Sequence, residues 1–410
     1  MNEYEKKHIE MLRDGLSECA VLLKKDGKFP LDGTCDIALY GGGARHTIKG
    51  GTGSGEVNSR YSVSVEEGLI DAGFQITTGE WLDAYDRILE KARVDFLKEI
   101  KRKARENHIS AIIQGMGAVM REPEYDLPLN AGGDACVYVV SRISGEGNDR
   151  NTVKGDVLLT DSEVRDIAIL SEKFEKFMLV LNVGGPVDLT PVKSVGNILV
   201  LSQLGVETGA ALADIVLGRT NPSGHLTTTW AALNDYQQIG NFGEYDDTDY
   251  KEGIFVGYRY TDVAGKKPLF PFGFGLSYTE FEIYHKDTTL WHDEVTVKVE
   301  IKNTGNRAGK EVLQVYVSAP DGKLIKPVKE LCGFDKTGLM SPGGCEDLSV
   351  RFKLRDFASY DEERSSYILE PGDYLVSIGD SSDKTKVVAV VNIPSEIITC
   401  KAKNLLGDPG

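Results

Sequence analysis

MLVLNVGGPVDLTPVKSVGNILVLSQLGVETGAALADIVLGRTNPSGHL, residues 178–226, opens with the apolar run 178–183, passes through turn residues, and returns to a second run at 198–201. A helix is predicted over 206–217, closed by Gly218 and by the turn that Asn221, Pro222, Ser223 and Gly224 form. Short apolar runs bounded by turn residues read as strands buried on both faces. Their alternation with helices implies a largely parallel sheet covered on both sides, an α/β domain.

The same order extends upstream. A helix is predicted over 162–177, with Thr160 and Glu163 as its capping box. Before it lie apolar runs at 136–140 and 109–113, a long charged helix ending near Asn107, a strand at 74–77, a helix at 64–72 and a strand at 37–40. Ile9, Leu12, Leu16, Cys19 and Leu23 recur at intervals of three and four. That spacing predicts an amphipathic helix from the amino terminus to Gly27.

Downstream of Trp230 the sequence NDYQQIGNFGEYDDTDYKEG is polar, acidic and rich in turn residues, and reads as a linker or excursion. From about Glu294 the period becomes two. Val295, Val297, Val299 and Ile301 alternate with polar residues, the turn NTGN follows, and Leu313, Val315 and Val317 continue the pattern. Tyr374, Val376 and Ile378 repeat it after Pro371 and Gly372, so a small antiparallel sandwich is predicted. The domains are expected at 1–235 (α/β sandwich), 236–280 (linker or interface strap) and 281–398 (all-β sandwich), with 399–410 as a tail or the start of a connection.

Apolar residues form 41% of the 410 and charged residues 27%, the balance of a folded protein rather than a disordered one. The net charge of −16 repels polyanions, so neither nucleic acid nor an anionic membrane is expected as a partner. Cys19, Cys35, Cys136, Cys332, Cys345 and Cys400 contain no CxxC pair, and the six histidines show no HExxH spacing, so no metal and no cofactor are expected. The amino terminus has no apolar signal core and no stretch approaches 18 apolar residues, from which a cytoplasmic location is expected.

Two glycine-rich segments bear on chemistry. In KGGTGSGEVN, 49–58, the glycines allow tight turns and close backbone approach, with a plain flexible loop as the alternative. A phosphate loop is disfavoured, because no lysine follows Gly55. In SRISGEGNDR, 141–150, Glu146 sits between two glycines just after the strand at 136–140. A carboxylate there lies where α/β sheets commonly bind ligands; a solvated loop acid is the alternative. The segments LNVGGPVDL (181–189) and ADIVLGRTNPSGHL (213–226) read as core and turns, and the aromatic stretch 250–281 as an interface strap or a ligand platform.

EGIFVGYRY followed by PLFPFGFGLSYT, together with SRISGEGNDR, resembles the second and third domains of family 3 glycoside hydrolases of the bacterial β-glucosidase type, over nearly the whole chain. The resemblance implies an α/β sandwich followed by a fibronectin type III-like (immunoglobulin-like) sandwich. It implies Glu146 as general acid/base, and Thr52, Gly53, Ser54 and Gly55 as a loop bordering the sugar pocket. The activity implied is that of a retaining, exo-acting β-glucosidase on terminal β-D-glucosyl or related residues, with a β-glucoside or related oligosaccharide as substrate.

In that family the nucleophilic aspartate lies on a TIM-type barrel, and nothing in these residues reads as eight βα units. The resemblance therefore implies inverted domain order, with the barrel following the fibronectin-like domain, and a chain inactive by itself. The barrel is expected in the same longer chain or as a separate subunit, and homo-oligomer formation stays open. The alternative is a non-catalytic carbohydrate-binding or scaffold subunit. A nucleotide-binding α/β protein rests only on GGTGSG and the parallel-sheet pattern.

Overall fold

The computed structural model describes residues 1–116, 118–146, 150–236 and 250–403, apart from the side chain of Asp14. Most of the acidic excursion expected after Trp230, the end of the expected tail, and Gly147, Asn148 and Asp149 of the SGEG loop lie outside the described residues. The chain divides into two compact units.

The first unit comprises Met1–Gly224 and Leu276–Tyr278. Its elements are α1 (Glu3–Leu16), β1 (Val21–Lys24), β2 (Asp36–Tyr40), α2 (Val65–Asp71), β3 (Gln75–Ile76), α3 (Gly79–Glu106), α4 (Ala111–Gly115), β4 (Ala135–Arg142), α5 (Asp161–Lys173), β5 (Phe177–Val183), β6 (Ile198–Val200) and α6 (Thr208–Val216). They build one sheet in the order β1-β6-β5-β4-β2-β3, parallel except for β1. All seven residues of β5, and 135–140 of β4, are buried. That burial on both faces is why the sequence shows continuous apolar runs instead of alternation.

Helix starts follow local chemistry. The Ser64 hydroxyl accepts from the Glu67 amide while the Glu67 carboxylate accepts from the Ser64 amide at 2.8 Å, and Thr160 and Glu163 repeat this capping box as the sequence predicts. Two expectations are corrected. The first helix ends at Leu16 rather than near Gly27, and Leu23 belongs to β1. Ala20, Val21, Leu22 and Leu23 are all buried, and four consecutive residues cannot share one stripe of a helix, whereas a strand covered on both faces accommodates them. The run at 109–113 is not a strand either. Ser110 caps Ile113 and starts α4, whose Ile112 and Ile113 stand exposed.

Helices α2 and α6 cross with their backbones in contact. A Cβ on Gly209 would sit 1.9 Å from the Ser64 carbonyl oxygen, and one on Gly68 would sit 2.2 Å from the Gly209 carbonyl carbon. All nine residues of α6 are buried, four of them glycine or alanine, which is what lets it approach so closely.

The second unit comprises 225–236, 250–275 and 279–403 among the described residues. After the short α7 (Tyr258–Val263) it is all β: β7 (Phe281–Trp291), β8 (Glu294–Asn303), β9 (Val312–Ser318), β10 (Glu330–Lys336), β11 (Cys345–Lys353), β12 (Ser359–Asp361), β13 (Ser366–Leu369), β14 (Gly372–Ser381), β15 (Lys384–Ile393) and β16 (Ile397–Lys401). These form antiparallel sheets ordered β10-β9-β14-β15, β11-β8-β7 and β12-β13-β16. The alternation read from sequence is realised: Val295, Val297, Val299 and Ile301 of β8 pack with Leu313, Val315 and Val317 of β9 and with Tyr374, Val376 and Ile378 of β14 in one core. In the aromatic stretch, Tyr258 stacks on Phe272, and its hydroxyl accepts from the Leu331 amide at 2.9 Å. Among the described residues there is no closed barrel of parallel strands.

The helix crossing predicts opposite effects for two substitutions of glycine by alanine. Gly209→Ala forces apart two backbones and should lower the unfolding free energy by about 1–3 kcal/mol. Gly15→Ala, in α1 with nothing within 4 Å of the new methyl, should raise it by about 0.5–1 kcal/mol. Urea unfolding of both variants checks this, and equal shifts would contradict the crossing.

Candidate active site

In the first unit's sheet, β2 is followed in the chain by β3 on one side, while its other neighbour, β4, is followed by β5 on the far side. The connections leaving β2 and β4 therefore run in opposite directions, and a crevice opens between their carboxyl ends. This is the topological switch point of a doubly wound sheet, where ligands bind. The loops that border it are the two glycine-rich segments, which follow Tyr40 and Arg142.

The loop after β2 is held at its base by Asn182, which is wholly buried near the end of β5. Its Oδ1 accepts from the Ile48 amide at 2.6 Å, and its Nδ2 donates to the carbonyls of Ile48 and Ser202 at 2.9 and 2.6 Å. The Gly205 amide donates to the Lys49 carbonyl at 2.8 Å. Sequence reasoning passed over Asn182 as core. The available signal was a single polar side chain inside the strand MLVLNV, which burial obliges to find partners.

The loop after β4 rises from a fixed base. Arg142 and Glu163 form a buried bidentate ion pair at 3.0 and 2.6 Å, which ties the end of β4 to the start of α5. Gln203 donates to the Ser144 carbonyl at 3.3 Å, and Arg150 donates to the Ser144 hydroxyl at 3.1 Å while pairing with Asp156.

The two loops meet at Glu146. Its amide donates to the Thr52 carbonyl at 3.4 Å, and the Thr52 hydroxyl donates to the Glu146 carbonyl at 3.1 Å. The Ser54 amide donates to Glu146 Oε2 at 2.9 Å, and the Ser54 hydroxyl donates to the same oxygen. Side chains at this junction would collide: a Cβ on Gly145 would lie 2.2 Å from the Thr52 nitrogen, and one on Gly53 2.6 Å from Glu146 Cβ. Of the four loop residues expected near the pocket, Thr52, Gly53 and Ser54 contact Glu146, whereas Gly55 has nothing within 4 Å of where its Cβ would be.

The Glu146 side chain is exposed, and Oε1 makes no hydrogen bond to the described residues. The Ser54 hydroxyl, and then the Ser54 amide, hold its carboxyl below the usual glutamate range, because both donate to the anion. A second carboxyl, Glu122, behaves in the opposite way. It lines a cavity of about 290 Å³ with Gly42, His46, Tyr85 and Arg142, and receives a hydrogen bond from the Tyr85 hydroxyl. Burial, and then the charge of Glu163, push it up to about 7. Nothing in the stretch VMREPEYDLP distinguishes Glu122 by sequence; only the fold brings it beneath the crevice. Among the described residues no group of three or more His, Cys, Asp or Glu side chains is placed to hold a metal ion, and no helix is long and apolar enough to cross a membrane.

Comparison with known proteins bears on this geometry. Residues 20–278 match the glycosyl hydrolase family 3 C-terminal domain, and 311–382 match a fibronectin type III-like domain. The chain is 35% identical to beta-glucosidase A of Butyrivibrio fibrisolvens over 93% of its own length and 50% of that protein's. It is 34% identical to a beta-glucosidase of Ruminococcus albus over 94% of its length and 40% of that protein's. It thus spans about half the length of these relatives or less. Among solved structures, beta-glucosidase 3B from Thermotoga neapolitana, in complex with α-D-glucose, superposes with a TM-score of 0.81 at 35% identity, covering 96% of this chain and 55% of that one. A beta-glucosidase from Paenibacillus barengoltzii gives 0.82 at 28% identity, covering 96% and 44%. With its switch-point α/β domain matched from Ala20 to Tyr278 and its second match in the antiparallel unit, the chain belongs to glycosyl hydrolase family 3.

Proposed function

We propose that this chain forms part of a retaining, exo-acting β-glucosidase in which Glu146 is the general acid/base, and a barrel domain, in the same longer polypeptide or as a separate subunit, supplies the nucleophile. The observation that carries this reading is the position of Glu146 at the switch point, with one carboxylate oxygen held by Ser54 and the other making no hydrogen bond to the described residues. Kinship with relatives named as beta-glucosidases supports the glycosidase class. The proposed division assigns 1–235 to the α/β part, 236–280 to a linker or interface strap, 281–398 to the fibronectin-like part and 399–410 to a tail or the start of a connection.

The chemistry runs in two displacements. In the first, the nucleophile's carboxylate bonds to the anomeric carbon as the glycosidic C–O bond breaks, and the Glu146 proton passes to the departing oxygen. In the second, the Glu146 carboxylate takes a proton from water, whose oxygen displaces the nucleophile. Two inversions leave the configuration retained.

The proton must be on Glu146 before the first step. As the side chain stands, Ser54 stabilises the anion, which suits the second step and opposes the first. Covering the carboxyl with an apolar or acidic surface, or drawing it away from Ser54, raises its pKa, so proton donation depends on what closes over the crevice. The Ser54–Glu146 contact is complete above the ordinary carboxylate range and loosens as pH falls through the lowered pKa.

Two outcomes are expected. Ser54→Ala removes the larger cause of the depression but keeps the backbone amide, so the Glu146 pKa should rise part of the way toward the usual range. Carbon-13 carboxyl titration of this chain measures it, and an unchanged or lower value would show that Ser54 does not hold the anion. For activity, the chain alone should not release nitrophenol from 4-nitrophenyl β-D-glucoside, whereas the barrel-containing protein should, with the β-anomer formed first by proton NMR. There Glu146→Gln should lower kcat by about 10²–10⁴-fold. Equal turnover by the Gln variant would favour a binding or scaffold role for this loop, and hydrolysis by the chain alone would place a nucleophile within it.

A further inference from the structure

His225 lies in the second unit at the start of a two-stranded ladder built from 226–230 and 270–274. The Leu226 amide donates to the Phe274 carbonyl at 2.9 Å, the Gly273 amide donates to the Leu226 carbonyl at 2.8 Å, and Trp230 and Phe270 exchange amide-to-carbonyl bonds at 2.9 Å. This ladder is fastened to the sheet that holds β9 and β14. The Ser382 amide donates to the Phe272 carbonyl at 2.9 Å, and Gln314 of β9 donates to the Gly273 carbonyl at 2.9 Å and to the Asp380 carbonyl at 2.7 Å. The His225 imidazole adds a further fastening, with its side chain only 11% exposed.

Both ring nitrogens of His225 face oxygen atoms that cannot donate. Nδ1 is 2.5 Å from the Gly273 carbonyl, and Nε2 is 3.3 Å from Oε1 of Glu311, just before β9. A neutral imidazole carries one N–H and would set its lone pair against one of these acceptors, whereas the imidazolium satisfies both. Gln314 Nε2 is 3.5 Å from Nδ1, but its two N–H bonds go to the Gly273 and Asp380 carbonyls, so it has no hydrogen left for the ring. The Gln314 amide is oriented from its other end, where Oε1 accepts from the Tyr316 hydroxyl at 2.7 Å.

The charged groups that act on the ring come from the strands packed against it. Glu311 precedes β9 and Asp380 lies near the end of β14, while Lys384, at the start of β15, pairs with Asp380 at 2.6 Å and feels the charges of Glu311 and Asp383. Burial opposes a charge on His225, yet the bond and charge of Glu311, the Gly273 carbonyl and the charge of Asp380 together hold the imidazole above its ordinary range. We infer that His225 is a proton-dependent clip: the doubly protonated ring holds the ladder onto β9, and loss of one proton with rising pH releases it. Because the folded-state value is raised, the clip's contribution is fully present below the ordinary histidine pKa of about 6.5 and is lost as pH rises through the folded one. The clip does not depend on the role proposed for Glu146.

Nitrogen-15 labelling of the six histidines, with His225 assigned by its loss in His225→Gln, reads the ring directly. At about pH 7 both of its nitrogens should carry protons. Hydrogen exchange of peptides spanning 226–230 and 270–274, divided by the intrinsic exchange rate, gives the opening constant of the ladder across the same titration. It should rise by up to about tenfold per pH unit above about 6.5 and level off once the ring is neutral. His225→Lys stays charged through this range and should show no such rise, and Glu311→Gln should move the His225 midpoint down. An unprotonated ring nitrogen at about pH 7, a flat opening constant in the parent chain, an equal rise in His225→Lys, or an unmoved midpoint in Glu311→Gln would each overturn the proposal.

Discussion

The out-of-order pairing of β4 with β2 is the constraint on which the chemistry of this chain depends. Because β3 takes the outer place, the loops after β2 and β4 are thrown onto one carboxyl edge, although about a hundred residues of chain separate them. Neither loop has much regular structure of its own. What gives them a defined meeting point is the rigid edge beneath, with the amide of Asn182 under one loop and the Arg142–Glu163 pair under the other. Such an ion pair contributes less to net stability than to geometry, since burying both charges offsets much of their attraction.

The edge also separates two carboxyls by environment. Glu146 is exposed and fed by donors, which keep it ionised, while Glu122 lies in the cavity beneath with a carboxylate for a neighbour, which keeps it near neutrality. The contrast arises from depth: solvent and the Ser54 donors are available at the rim, whereas below, burial and the charge of Glu163 outweigh the Arg142 guanidinium and the Tyr85 hydroxyl. A surface laid over the rim would move Glu146 toward the condition of Glu122 without any change of sequence.

Much of this was legible before any coordinates. The continuous apolar runs gave the parallel sheet, the period-two segment after Glu294 gave the antiparallel unit, and Thr160 with Glu163 gave the start of α5. The misread ends share a cause. Leu23 continues the helical spacing of Leu16 and Cys19 by coincidence, although the run 20–23 to which it belongs is buried throughout, and 109–113 is apolar yet has no strand beside it. Periodicity describes one face of an element; it does not count the faces that tertiary packing covers. The aromatic cluster of Tyr40, Trp81, Tyr85 and Tyr125 was invisible for a related reason, since its members come from three separate segments and meet only when α3 folds onto the sheet.

The close crossing of α2 and α6 reaches further than the packing of two helices. It pins Ser64, where the loop after β2 ends, and Val63 just before it is hydrogen-bonded to both Val206 and Gly209. At the other end, Ile48 and Lys49 are tethered to Asn182 and Gly205. A connection of some two dozen residues is thereby shortened, for purposes of conformational search, to about half that, and the entropy that a longer free loop would retain is surrendered to the fold. Ser54 sits inside the part that remains. Variation in that inner span can therefore retune the proton affinity of the carboxylate it touches while the scaffold, fixed at both tethers, stays the same.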